Sequence, residues 1–156
     1  MATVVRNVLI VIMLIWRHGE AREIDSNETM EIYRLAQSLS HIPAPSYPPA
    51  IYLATVEQMS AAICPDRGCP VQGFQSGVNI YIDKDLDLSE PFSATVLLHE
   101  FVHFLQYAKY GVARNCAENM LRERQAYAVQ NEALARAHIP KRVGLQLGYC
   151  RPGVDD

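Results

Sequence analysis

The chain contains the stretch His99-Glu100-Phe101-Val102-His103 within a mainly apolar run from residue 92 to residue 106. On an α-helix, residues four apart project from the same face, so His99 and His103 lie one above the other. Two neutral imidazoles placed in this way can bind one Zn²⁺ at about 2.0–2.1 Å. Glu100 projects about 100° around the helix from His99, close to such an ion but not directly at it. The stretch predicts a helix that carries a zinc site.

Apolar side chains surround these three polar residues on the predicted helix: Leu97, Leu98, Phe101, Val102, Phe104 and Leu105. Two histidines and a glutamate in a buried helix are costly unless another group pairs with them, and a metal ion is one such group. The H-E-x-x-H spacing on a helix is typical of zinc hydrolases, in which the glutamate is the general base. Because a buried histidine can also simply be hydrogen-bonded to a neighbour, the zinc interpretation depends on a third ligand.

A second helix is predicted from residue 116 to residue 138, ended by Pro140. Glu123 is the one acidic residue on its inward stripe, so it is predicted to be the third ligand, with an ion pair to a buried arginine as the alternative. Glu118 faces away and lies three residues after Asn115, as in a capping box. The stripe comprises Met120, Glu123, Ala126, Tyr127, Gln130, Leu134 and Ala137, and the face predicted to be solvated carries Arg122, Arg124, Gln125, Glu132 and Arg136.

His99-Glu100-x-x-His103 followed by Glu123 on the next long helix resembles the zincin metallopeptidases of the gluzincin type. The string Glu123-Arg-Gln-Ala-Tyr127, together with Gln106, also resembles small bacterial zincin-like proteins. The resemblance covers residues 78–134. It implies a minimal α+β zincin-like domain, in which a small antiparallel-containing sheet packs on the zinc-binding helix and on a long glutamate-bearing helix. It also implies a Zn²⁺ cofactor and a peptide or protein substrate.

The same resemblance assigns roles around the metal. Glu100 would be the catalytic base, and Tyr127 and Tyr81 are candidates for a donor to the transition-state oxygen, as are Tyr107 and His138. Many gluzincins have an aspartate where this chain has Tyr127, whose hydroxyl could instead support a ligand histidine. Gln106 is placed to hydrogen-bond the outer atoms of a ligand, and it is also a candidate for contact with the substrate or transition state. The alternative function is a non-catalytic zinc-binding interaction or structural module, in which Glu100 would have no role.

Upstream of the zinc helix, helices are predicted at Ser26–Ser40 and Val56–Ile63, a strand at 51–55, and a hairpin with strands 71–74 and 78–82. In the second hairpin strand, apolar residues alternate with polar ones. The alternation predicts one buried face and one exposed face, the exposed face carrying Asn79, Tyr81 and Asp83. In zincins the strand before the helix forms the cleft edge, so strand 78–82 is expected to pair with an extended peptide.

The first 21 residues are predicted to be a cleaved signal peptide. Arg6 supplies positive charge, residues 8–16 form a short apolar run, and Gly19 and Ala21 suit a cleavage site after Ala21. A membrane anchor and a buried strand are the alternatives, although the run is short for about 30 Å of hydrocarbon. Residues 22–156 are then predicted to form one domain. A membrane partner is expected only if the segment is uncleaved.

Cysteine usage agrees with export to an oxidising compartment. The chain has four cysteines after residue 21, Cys64, Cys69, Cys116 and Cys150. Pairing Cys64 with Cys69 across a Pro/Gly turn leaves Cys116 for Cys150, although three connectivities are formally open. A second, thiolate zinc site is disfavoured because no C-x₂-C spacing occurs. The protein is expected to be secreted or periplasmic, with membrane anchoring as the alternative.

Composition fits a single globular domain: 156 residues, 49% hydrophobic and 20% charged. The formal net charge is −3 and no basic stripe is present, which argues against a nucleic-acid partner.

Overall fold

A computed structural model describes residues 26–66 and 68–144 of the chain. Within them lie four helices and three strands, an α+β arrangement that confirms the predicted class. The elements are α1 (Ser26–Ser40), β1 (Ala50–Ala54), α2 (Val56–Ile63), β2 (Gly73–Ser76), β3 (Asn79–Asp83), α3 (Pro91–Tyr110) and α4 (Cys116–Arg136). The predicted bounds of α1 and α2 are confirmed, and α4 ends two residues earlier than predicted. The predicted signal segment, residues 1–21, lies outside the described residues.

The three strands form one mixed sheet in the order β1-β3-β2. β3 pairs in parallel with β1 and antiparallel with β2, so that Tyr52 and Phe74 both lie opposite Tyr81. The β2–β3 turn consists of Gly77 and Val78 rather than residues 75–77, and Gly77 has a φ of 61°, which glycine adopts readily. The prediction that strand 78–82 forms an edge was wrong, because β3 is central and β2 is an edge.

The face of β3 predicted to be exposed is buried at Tyr81 and half-buried at Asn79 and Asp83. Ile80 and Ile82 join the main core, while Tyr81 is only 1% exposed and belongs to a second apolar cluster with Met59. The Tyr81 ring stacks on Phe74 and on Tyr52, with centroids 4.6 and 5.4 Å apart. Alternation alone did not reveal this burial, because the covering side chains come from α2 and from both neighbouring strands.

Helix α3 forms the centre of the molecule. It begins at Pro91, since proline is tolerated in a first helical turn, and it contacts α1, α4, β2 and β3. Tyr33 of α1 packs against Phe101 and Phe104, with ring centroids 5.0 and 6.2 Å apart. Because neighbours cover α3 on several sides, any polar side chain in its middle lies inside the protein.

The predicted Cys64–Cys69 disulfide is confirmed. It closes the loop between α2 and β2, where the Cys69 N–H also donates to Ser60 Oγ at 2.7 Å. Cys116, at the start of α4, is disulfide-bonded as well, and its predicted partner Cys150 lies outside the described residues. Across residues 26–66 and 68–144, no helix combines the length and apolar character needed to cross a membrane.

The stacked environment of Tyr81 leads to a stability prediction. Tyr81→Ala should lower the free energy of unfolding by about 3–5 kcal/mol, because it leaves a cavity between two rings. Tyr81→Phe keeps the stacking and should cost no more than the about 0.5–1.5 kcal/mol typical of one hydrogen bond. Urea unfolding of both variants measures the difference, and equal losses would show that the hydroxyl, not the ring, matters.

Candidate metal centre

Two helices bring together the three residues predicted as ligands. His99 and His103 project from one face of α3, and Glu123 projects from α4. The two Nε2 atoms are 3.0 Å apart. Glu123 Oε1 lies 3.3 Å from Nε2 of His103, and Oε2 lies 3.5 Å from Nε2 of His99. The ligand-type atoms therefore converge on one point.

This spacing fits a tetrahedrally coordinated metal ion. Four ligands at about 2.0–2.1 Å from an ion lie about 3.3 Å from one another, and each histidine Nε2 lies 3.3 or 3.5 Å from one of the two Glu123 carboxylate oxygens. Two imidazole nitrogens and one carboxylate oxygen also form a donor set that binds divalent ions. The three side chains thus form a group that can hold a metal ion.

The electrostatics of the group favour an ionised carboxylate. Burial opposes ionisation of Glu123, but hydrogen bonds from His103 and His99 outweigh it and hold the pKa of Glu123 well below its usual range. Burial also opposes the charged form of His103 and so lowers its pKa. The hydrogen bond to Glu123 and the negative charge of Glu123 outweigh burial and raise the pKa of His103. Protons and metal ions therefore compete for the same imidazole.

Gln106 orients His103. Its Oε1 lies 2.9 Å from Nδ1 of His103, and its Nε2 donates to the Arg122 carbonyl at 3.0 Å and to Gln125 Oε1 at 2.9 Å. Because both partners of Nε2 are acceptors, the amide cannot be turned round, and Nδ1 of His103 must be the donor to Oε1. In the neutral imidazole the lone pair is then on Nε2, the atom that a metal ion would take, whereas in the protonated imidazole Nε2 donates to Glu123.

One sequence prediction about these neighbours needs correction. Gln106 supports a histidine, as predicted, and although it is only 1% exposed it also lines a cavity beside His103. Tyr127 contacts His99 through its ring, with centroids 4.5 Å apart. Nδ1 of His99 is buried and has no hydrogen-bond partner among residues 26–66 and 68–144, so the tyrosine hydroxyl does not give it the predicted support.

Glu100 lies beside the group without belonging to it. It is 5% exposed, and burial raises the pKa of its carboxyl group, although His99 and His103 act in the opposite direction. The backbone of Gly73 in β2 passes close by. A Cβ on Gly73 would lie 3.0 Å from Cγ of Glu100 and 3.3 Å from its Oε1. The closeness of Gly73 to Glu100 was not predicted from the sequence, although a glycine within a strand often marks a close approach of the backbone to another group.

A cleft of about 710 Å³ opens over these residues. Its walls include Gly73, Phe74 and Gln75 of β2, Tyr127 of α4, and residues 141–144. A second cavity of about 420 Å³ shares Gln75 and His103 with the first and continues past Ser76 and Gly77. The two cavities together form a groove along β2. Tyr81, predicted as a site residue, lines neither cavity.

Asn115 is the N-cap of α4, as predicted, but Glu118 does not complete the predicted capping box. Asn115 Oδ1 accepts a hydrogen bond from the Glu118 N–H at 2.9 Å, while the Glu118 carboxylate accepts one from the Arg114 N–H at 3.1 Å, not from Asn115 as in a capping box. This bond, together with those from the Arg114 and Arg122 side chains, lowers the pKa of Glu118 to about 2. Arg122 is 12% exposed rather than solvated, because it also donates to the Gly111 carbonyl.

Fold and site together define an α+β protein with a His₂Glu group at the base of a groove. Comparison of the chain with protein-family models, curated proteins and solved structures found no match. The chemistry of the site is therefore the basis for the proposed function.

The choice between the two glutamates can be tested by metal content. Glu123→Ala should abolish binding of added zinc, because it removes one of three converging ligand atoms. Glu118→Ala should retain about one zinc per chain, with a less stable start of α4 because the hydrogen bonds from Arg114 and Arg122 are lost. Elemental analysis after dialysis measures both. Zinc lost only from Glu118→Ala would show that the other glutamate is the ligand.

The role of Gln106 can be tested separately. Gln106→Met keeps the bulk of the side chain but removes the hydrogen bond to His103, so zinc affinity should fall about 10–100-fold. Gln130→Met is the matched control, because Gln130 is a buried glutamine whose amide donates to Thr95 rather than to a histidine. Competition with a chromophoric chelator gives both affinities, and equal losses would contradict a specific role for Gln106.

Proposed function

We propose that this protein is a zinc-dependent peptidase with a zincin-like site, in which His99, His103 and Glu123 hold the ion and Glu100 is the general base. The observation that carries the proposal is a buried carboxylate beside three converging ligand atoms but outside their group. Structural zinc sites are closed by four protein ligands, whereas catalytic sites use three and leave one position open. The group formed by the described residues has three members.

Zinc is proposed because of the ligand types and their spacing. A pair of histidines with a glutamate is a common ligand set of zinc hydrolases. When bound, zinc supplies Lewis-acid chemistry, polarising a carbonyl oxygen and lowering the pKa of a water molecule. In this proposal, the protein contributes fixed ligands, an ionised Glu123 and a cleft for the substrate.

Glu100 performs the proton transfers in this proposal. Its carboxylate takes a proton from the attacking water and then gives that proton to the nitrogen of the departing amine. Burial, which raises the pKa of Glu100, suits a group that must first accept and then release a proton. Close contact with the Gly73 backbone limits the positions that the carboxylate can take.

The proposed substrate is an extended peptide that pairs with β2. This strand is at the edge of the sheet, and its residues line both cavities of the groove. An extended chain added to a sheet edge gains backbone hydrogen bonds and places alternate side chains in pockets. In this proposal the peptide therefore pairs with β2 (Gly73–Ser76) rather than with strand 78–82. β2 borders the cleft, and Gly73 lies beside Glu100.

Export of the protein is part of the proposal. The Cys64–Cys69 disulfide supports an oxidising compartment, since such bonds are rare in reducing cytosol. The substrate would then be an extracellular or periplasmic peptide or protein.

Glu100→Gln tests the proposed chemistry. The amide keeps the shape of the side chain but cannot accept the proton, so turnover should fall by about 10²–10⁴ or more while zinc remains bound. Glu132→Gln, which alters an exposed glutamate paired with Arg136, is the control and should leave turnover unchanged. Cleavage of a quenched fluorescent peptide library by the zinc-loaded proteins gives the rates.

Two results would contradict the proposal. Full activity of Glu100→Gln would remove this residue from the mechanism. Zinc binding without cleavage of any library peptide would instead favour the non-catalytic zinc-binding module.

A further inference from the structure

The segment after α4 forms a fixed part of the cleft wall. Both backbone polar groups of Val143 bond to the side chain of Asn131 on α4. The Val143 N–H donates to Asn131 Oδ1 at 2.9 Å, and Asn131 Nδ2 donates to the Val143 carbonyl at 2.9 Å. This two-point attachment holds the neighbouring residues 141, 142 and 144 against the cleft, which they line.

Two cations lie on this wall. The ammonium group of Lys141 is 3.5 Å from the ring centroid of Phe92, in the first turn of α3, and Arg142 follows it along the chain. Phe92, Lys141 and Arg142 all line the cleft that contains the metal-binding group. Attraction between a cation and an aromatic face adds a second restraint on the position of Lys141. We call Lys141 and Arg142 the basic wall.

The basic wall has no carboxylate partner among residues 26–66 and 68–144, where neither cation lies within 4.0 Å of a carboxylate oxygen. Of the described residues, Glu100 and Glu123 are the carboxylates that line the cleft, and Glu123 is paired with the two histidines. A chain of formal net charge −3 thus has a positive region beside its candidate site. Such a region in a cleft attracts anionic groups.

We propose that the basic wall is a carboxylate-recognition subsite, and that preferred substrates are peptides with a carboxylate close to the scissile bond. The inference rests on the proposed peptidase function for its catalytic readout. A carboxylate can accept hydrogen bonds from both a guanidinium and an ammonium group. Two sources supply it, an acidic side chain or the free C-terminus of a peptide.

The expected preference is moderate, because both cations are partly solvated. Exposed ion pairs are individually weak, so the two cations together should give about a two- to thirtyfold higher kcat/KM for the charged substrate. Raising the salt concentration from about 0.05 M to about 0.5 M should reduce that ratio, because salt screens partly exposed charges. A purely steric effect of these residues would not respond to salt.

The first experiment uses the full, zinc-loaded chain and matched peptides. An otherwise neutral library places Glu or Gln at each position around the cleaved bond, and each peptide is made with a C-terminal acid or amide. A Glu/Gln ratio above one identifies an acidic side chain as the source, whereas an acid/amide ratio above one identifies the C-terminus. Wild type is compared with Lys141→Gln, Arg142→Gln and the double variant.

The double variant should bring the preference close to one while retaining cleavage of neutral peptides. Arg124→Gln is the control, because it removes the same charge from an exposed position of α4 that lines neither cavity. It should keep the wild-type ratio. A wild-type ratio of one at every position, or an unchanged ratio in the double variant, would overturn the inference and leave the peptidase proposal intact.

A binding measurement separates the two proposals. Fluorescein-labelled Glu and Gln peptides are titrated against zinc-loaded Glu100→Gln, with and without the two basic-wall substitutions, and fluorescence anisotropy gives Kd. Tighter binding of the charged peptide that depends on Lys141 and Arg142 supports the subsite even if no peptide is cleaved, in which case the peptidase proposal alone fails. Equal Kd values for the Glu and Gln peptides would overturn the subsite proposal.

Discussion

The burial of polar groups in the middle of α3 is the constraint on which the rest of the structure depends. His99, Glu100 and His103 lie in the helix that contacts α1, α4, β2 and β3, so they cannot be satisfied by bulk water alone. Unpaired, such groups would cost several kcal/mol. Glu123 reaches the two histidines from α4, and the contact between the helices is therefore also the contact that assembles the site.

The same reasoning explains the polar network behind the histidines. Gln106 joins His103 to a backbone carbonyl and a side chain of α4, and Gln125 of α4 continues to the Ser40 carbonyl at the end of α1. Each member is inside or at the margin of the core, where hydrogen bonds that are all made keep the parts in one arrangement. This network fixes α1, α3 and α4 relative to His103. His99 has less polar support and relies on ring packing against Tyr127.

Helical periodicity was sufficient to predict that Glu123 of α4 meets His99 and His103 of α3, because spacing along a helix fixes the face on which a residue lies. It did not predict that Gln125, expected on the solvated face, meets Gln106. It could not predict features that depend on distant segments. Tyr81 is buried because α2 and two neighbouring strands cover it, and β3 is central because β1 pairs with it in parallel. Arg122 was expected in solvent, but the Glu118 carboxylate and the Gly111 carbonyl hold it near the helix surface. Pattern along one element contains no information on such partners.

The close approach of Gly73 to Glu100 has a consequence for how this chain can vary. Position 73 is partly exposed and begins a short edge strand, where sequences normally drift freely. Yet Ile82 Cδ1 and Glu100 Cγ each lie 3.0 Å from the point where a Cβ would be, so even alanine must displace a side chain. The exposure of position 73 is typical of a surface residue, but its low tolerance of substitution is typical of a core residue. A designer who redraws this strand should therefore keep glycine at its first position, where hydrogen alone fits without displacement.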